Sequence, residues 1–135
     1  MVTLFSQEKK FICENCGADI LIGNDRGPGI IVLVEDENSV TYDVYASCKG
    51  KCDETLKRSR ARGGSDGWRD VVDFTNPLLF VKYTMSGINL ANQQKFTPEA
   101  LEQYKQILFV AFQHVLREPT KGELDQYDFE SSLPF

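Results

Sequence analysis

The sequence predicts an α+β protein, on three observations. Two cysteine pairs bracket a segment with the pattern of a β-hairpin, all within residues 1–64. A short helix with ordered charges follows the second pair. Residues 65–135 then carry helix-start signals and apolar residues at spacings of three and four. A chain of 135 residues suffices for one domain or two very small ones. The expected organisation is a cysteine-rich unit over 1–64 and a helical unit over 65–135, packed together and able to share one continuous core.

Each element has a local reason. Lys10-Phe11-Ile12 leads into Cys13-Glu14-Asn15-Cys16-Gly17, where two residues separate the thiols and a glycine follows. That is the pattern of a tight metal knuckle, whose backbone amides point at the sulfurs. ADILIG, residues 18–23, fits a short strand, and GNDRGPG, residues 23–29, a turn-rich loop. The loop does not precede a helix, so it lacks the arrangement of a phosphate cradle. IIVLVE (30–35) and VTYDVYA (40–46) are rich in β-branched and aromatic residues, and Asp36-Glu37-Asn38-Ser39 supplies the turn between them. The alternation in the second strand suits one buried face.

After Cys48 and Cys52, Asp53 and Glu54 fall in a first helical turn and Lys57, Arg58, Arg60 and Arg62 toward its end. The helix macrodipole favours that order. Gly63-Gly64 ends the helix, and GGSDG (63–67) is the expected linker. Asn76-Pro77 and Thr97-Pro98 each read as an N-cap with proline at the first helical position. Gly87 weakens the first of these helices by about 1 kcal/mol. Leu101, Tyr104, Leu108, Ala111 and Val115 share one face of the second, which Glu118-Pro119 ends. Thr120 and Glu123 have capping-box spacing, so ELDQYDFESSLPF (123–135) is either part of a third helix or a partner-binding tail.

The four cysteines carry the chemistry. They are all the cysteines of the chain, in C-x2-C and C-x3-C pairs set among Lys, Glu and Gly rather than on apolar faces. Zn²⁺ takes four thiolates in a tetrahedron with Zn–S bonds near 2.3 Å, roughly. Each pair can hold two corners without strain. Cys13, Cys16, Cys48 and Cys52 are therefore the expected ligands of one structural Zn²⁺. Iron is the second choice, because the second pair lacks the C-x2-C-G form of rubredoxin-like sites. Four thiolates leave no open position, whereas catalytic zinc keeps one. Lys9, Lys10, Lys49 and Lys51 are placed to offset the negative charge of such a centre.

Over residues 1–62 the chain resembles the treble-clef zinc fingers. In that fold group a knuckle gives two ligands, a β-hairpin follows, and a helix N-terminus gives the other two. Cys13-Glu-Asn-Cys16-Gly17, residues 30–46, and Cys48-Lys-Gly-Lys-Cys52 with the helix to Arg62 occupy those places. A zinc ribbon, with both pairs on knuckles, is the alternative. The resemblance implies a fold and a structural metal, and that fold serves many functions.

Function is bounded more loosely. The net charge is −5, with −1 on residues 1–64 (9 basic, 10 acidic) and −4 on 65–135 (6 basic, 10 acidic). Whole-surface binding to nucleic acid is disfavoured, leaving Lys49, Lys51, Lys57, Arg58, Arg60 and Arg62 as a local candidate patch. His114 is the sole histidine and reads as a packing or surface residue. Trp68 reads as a plug between the two units, and Asp66, Asp70 and Asp73 as turn and cap residues. No acid–base pair or nucleophile arrangement stands out, so an enzyme is not expected. No apolar run is long enough to span a bilayer, and MVTLFSQEKK lacks the form of a secretory signal. The expected setting is the cytoplasm, where thiols stay reduced. The expected role is a small zinc-binding adaptor or regulator with a protein partner or a homo-oligomeric state. Nucleic-acid binding through 49–62 is the alternative.

Overall fold

The structure is a computed structural model that describes residues 10–131. It is a mixed α/β arrangement: a three-stranded antiparallel sheet with helices against it. Strands β1 (Ile30–Glu35) and β2 (Thr41–Ser47) form the expected hairpin. Asp36 closes its turn, its Oδ1 accepting from the Asn38 and Val40 amides at 2.8 and 3.0 Å. Helix α1 (Lys51–Arg60) follows the second cysteine pair, with Asp53 and Glu54 in its first turn and Lys57, Arg58 and Arg60 in its last.

The segment expected to be a linker is not one. Ser65–Asp70 is a third strand, β3, paired antiparallel with β1, so the sheet order is β2-β1-β3. The sequence SDGWRD has no apolar alternation to announce a strand. Its pairing satisfies the second edge of β1, whose peptide groups would otherwise be buried without partners. ADILIG also departs from expectation. It makes a single bridge, Ile12 to Asp19, and turns, because Ile20 is needed as a fully buried plug.

Strand β1 sits between two cores, which is why IIVLVE reads as a continuous apolar run. Ile30, Val32 and Val34 pack toward α1 with Tyr45, Leu56 and Ala61. Ile31 joins a larger cluster on the other side, with Phe11, Ile20, Val44, Phe74, Leu79, Tyr83, Tyr104 and Ala111. Each such side chain contributes on the order of 1.5–3 kcal/mol by leaving water. Strand β2 is buried on both faces too, Tyr45 completely, which corrects the expectation of one buried face.

The larger cluster draws residues from both sides of residue 64. A short helix, α2 (Val71–Phe74), not foreseen in the sequence, buries Val71 and Phe74. Helices α3 (Pro77–Asn92) and α4 (Pro98–Val115) start as the sequence specifies. Asn76 Oδ1 accepts from the Leu78 amide at 3.1 Å and Thr97 Oγ1 from the Ala100 amide at 3.2 Å. Helix α5 (Lys121–Ser131) opens with a reciprocal capping box, Thr120 N to Glu123 Oε1 at 2.9 Å and Glu123 N to Thr120 Oγ1 at 3.2 Å. It docks on α3. The buried Asn76 amide donates to the Glu123 carbonyl at 3.1 Å and to Gln126 Oε1 at 3.2 Å. Residues 121–131 are thus a packed helix rather than a loose tail; residues 132–135 lie outside the described residues.

Candidate metal centre

The first cysteine pair lies on a turn closed by backbone bonds. The Gly17 amide donates to the Cys13 carbonyl and the Cys13 amide to the Ala18 carbonyl, both at 2.9 Å. Gly17 has φ of 78°, a left-handed conformation that glycine adopts without a steric penalty. Glu14 fastens this turn to the outer edge of β2. Its amide donates to the Ala46 carbonyl, and its Oε2 accepts from the Ala46 amide, each at 3.0 Å.

The second pair leaves the end of β2 and enters α1. Cys48 follows the last residue of the strand, and Cys52 lies in the first turn of the helix. Gly50 makes the corner with φ of 88°. The Arg26 guanidinium lies against it, so an added Cβ would stand 3.1 Å from that group. The turn-rich loop of residues 23–29 therefore braces the corner between the two cysteines.

These two supports bring all four thiols together. The Sγ atoms of Cys13, Cys16, Cys48 and Cys52 all lie within 4.8 Å of one another, a group that could hold a metal ion. Across the two pairs, Cys16 Sγ stands 3.7 Å from Cys48 Sγ. The S–S edge of a tetrahedron with Zn–S bonds near 2.3 Å is about 3.8 Å. All four cysteines are free of disulfides. The Cys48 amide points at Cys13 Sγ and the Asn15 side-chain amide at Cys52 Sγ, each at 3.4 Å. Such donors are suited to thiolates.

The electrostatics are those of crowded sulfurs without enough positive charge. Burial pushes the Cys13 thiol up, but the amides of Cys16, Cys48 and Asn15 outweigh it and bring it down to about 7. Cys48 is pushed up to about 12 by burial and by the neighbouring Cys16 and Cys13 sulfurs. At Cys52 the Asn15 hydrogen bond pulls down, while burial and the other sulfurs together leave the thiol raised. One thiolate is readily accommodated; four in contact need a cation among them.

The basic residues are placed otherwise than their sequence spacing suggests. Lys49 pairs with Asp70 and Lys57 with Asp66, each at 3.0 Å, so both lysines tie the α1 region to β3. Arg60 turns inward. It reaches Asp43 at 2.5 Å and Glu14 at 2.6 Å, and its guanidinium lies over the Tyr45 ring at 5.0 Å. Arg60 thereby joins helix, strand and cysteine turn, a link that no local pattern of residues announces. Of the six candidate cations, Lys51, Arg58 and Arg62 form no ion pair among the described residues and are exposed. Lys10 is exposed, and Lys9 lies outside the described residues.

His114 stacks on Phe11, with centroids 6.0 Å apart, the packing alternative of the two expected for it. Trp68 is no plug: it is 58% exposed on β3, beside a shallow cleft lined with Ile30, Lys49, Gly50 and Asp53. Asp66 and Asp70 serve as ion-pair partners, and Asp73 accepts from the Gln126 amide at 2.7 Å. No helix among the described residues is long and apolar enough to cross a membrane.

Comparison of the chain with family models, curated proteins and solved structures returns no match.

Proposed function

We propose that the chain is a small zinc-binding adaptor or regulatory protein, with one structural Zn²⁺ held by Cys13, Cys16, Cys48 and Cys52. The observation that carries the metal is the convergence of the four sulfurs, with the 3.7 Å cross-pair spacing of a tetrathiolate. The order of a cysteine turn, a hairpin and a helix that takes the fourth cysteine in its first turn supports a treble-clef arrangement over a zinc ribbon. Zinc is favoured over iron because the second pair enters a helix instead of a second knuckle. Four protein ligands leave the ion no vacant position, so its role is to hold the fold, and no catalytic step is assigned. Thiols kept for metal fit a reducing compartment, the cytoplasm.

Action by protein–protein contact is supported by the outer face of α3. Val81, Met85 and Ile88 stand at helical spacing of four and three, and each is more than half exposed. Apolar stripes of this kind are typical of helix faces that meet a partner. Nucleic-acid binding through residues 49–62 has less support, because Lys49, Lys57 and Arg60 already neutralise carboxylates of the same chain.

The test is affinity capture with zinc-loaded chain, in parallel with a Val81→Asp, Ile88→Asp variant that keeps the wild-type melt. A partner retained by the wild type and lost with the variant is expected. A chain that captures no protein but binds nucleic acid, with affinity falling steeply as salt rises, would replace this reading with its alternative.

A further inference from the structure

The two edges of the sheet are treated differently. On β2 the outward amides are covered: Thr41 donates to the Lys95 carbonyl at 2.8 Å, Val44 to Gln103 Oε1 at 2.9 Å and Ala46 to Glu14 Oε2 at 3.0 Å. Since Val44 and Ala46 face outward, β1 bonds β2 through Ile30, Val32 and Val34, and bonds β3 through Ile31, Leu33 and Glu35. On β3 the inward residues are then Ser65, Gly67 and Arg69, in phase with the Val71 amide that bonds Gly29 at 2.9 Å. The peptide groups of Asp66, Trp68 and Asp70 point away from the sheet, and their amides have no partner among the described residues. Four of the six β3 residues are exposed, Trp68 among them. Open edges of this kind are normally blunted, because they template pairing with another strand.

We propose that β3 is an interaction edge whose occupant is a second copy of the chain, paired antiparallel across a two-fold axis at Trp68. The residues of the strand argue for that occupant. Asp66 and Asp70 stand symmetrically about Trp68, two residues to either side. With Trp68 opposite its own copy, Asp66 faces Asp70 of the other chain. Each of these carboxylates brings its own lysine, Lys57 or Lys49, at the same 3.0 Å. The facing groups are therefore neutral pairs that can exchange partners, not opposed charges. On the other face of the sheet, Arg69 of one copy lies opposite Gly67 of the other, where there is no side chain to displace. The two edge strands would join the sheets into one of six strands, and the isolated tryptophan would lose its exposure. Helices α1 and α4 pack on β2, whereas β3 meets chiefly α2, the helix that follows it.

This surface deepens the interaction reading but stands apart from the metal and from the α3 stripe, so its failure leaves both in place. A single edge contact is small, and half-association on the order of 100 µM is expected. The experiment is sedimentation velocity on zinc-loaded full chain from about 1 µM to about 1 mM, with tryptophan emission followed over the same range. Trp68 is the sole tryptophan, so its emission reports this edge alone. The mass should double from 15.3 kDa while the emission moves to the blue with the same midpoint. Two variants sharpen the result. Trp68→Pro removes an amide that the chain's own sheet does not use. Gly67→Val adds a side chain with nothing within 4 Å of its Cβ in one chain, but in the way of Arg69 of a second. Gly67→Val should melt at or above the wild type and weaken association by about tenfold or more. A chain that stays single at about 1 mM, or pairs with emission unmoved, or pairs equally well as Gly67→Val, overturns the proposal.

Discussion

Substituting Gly87 by alanine sets two known effects against each other, and the structure decides the sign. On helix propensity alone, Gly87→Ala should stabilise α3 by about 1 kcal/mol. Gly87 is buried, however, where α3 crosses α4 at Tyr104. A Cβ there would stand 2.7 Å from Tyr104 Cε1 and 3.3 Å from Cδ1. Carbon atoms at rest keep about 3.5–4.0 Å, so the ring must retreat by roughly 1 Å. It has little room. Tyr104 is 6% exposed, with the Phe96 ring centroid 5.3 Å away and the Phe74 ring edge-on at 6.4 Å. Its hydroxyl also donates to the Tyr83 carbonyl at 2.8 Å, tying the ring to α3 itself. Overpacking of this kind costs about 1–3 kcal/mol, and a lost buried hydrogen bond about 1 kcal/mol more. After the propensity gain, a net loss of about 1–3 kcal/mol is expected. For a chain of this length that lowers Tm by roughly 3–12 °C. Thermal melting of the two proteins at equal zinc is the assay. Gly122→Ala, in the first turn of α5 with only Thr120 Oγ1 near its Cβ at 3.9 Å, is the control and should be neutral or stabilising. A Gly87→Ala protein that melts at or above the wild type would refute close packing of α3 on α4.

Other perturbations test other joints. Arg60→Met removes the cation shared by Asp43 and Glu14 and leaves the mostly buried Asp43 carboxylate with Gln103, at 3.0 Å, as its only donor among the described residues. A loss of about 2–4 kcal/mol in urea unfolding is expected, and Arg60→Lys should recover little of it, lacking the planar fork. Glu123 titrates below its ordinary value: the Arg117 guanidinium, at 2.6 Å, and the Thr120 groups hold it at about 2 against 4.5. Its native form releases the proton more readily than its unfolded form, so its contribution is full above about pH 4.5 and fades as pH falls toward 2. In Glu123→Gln the melting temperature should fall less steeply over that window than in the wild type; equal slopes would count against the pair. Thr97→Ala should cost about 1 kcal/mol through the lost cap of α4, read as a shift in urea midpoint without a change in slope.

What the sequence disclosed and what it hid have physical causes. The hairpin, α3, α4 and α5 were legible because their signals are local: an Asp36 turn, two N-cap–proline steps, one capping box. The cysteine cluster was legible because thiols so spaced have few other uses. Strand β3 was hidden because an edge strand of Asp, Gly, Trp and Arg is specified by the neighbour it pairs with, not by its own pattern. The basic segment misled for the same reason. Spacing shows Lys49, Lys57 and Arg60 in a row, but not the carboxylates of Asp70, Asp66 and Asp43 that the sheet sets opposite them. Trp68 was misread because a large aromatic is more often buried than not. Its exposure follows from the open edge on which it stands.

The cysteine turn, the end of β2 and the start of α1 hold one another chiefly through Glu14, Arg60 and the four sulfurs. A cation at their centre should therefore be part of the fold's stability. The most direct measurement is metal content by mass spectrometry of native protein purified without chelators, paired with thermal melting before and after metal removal. About one zinc per chain, with a melt that drops or disappears on removal and returns on adding zinc, is the expected result. Protein free of metal, carrying four titratable thiols and melting unchanged in chelator, would contradict the account at its centre.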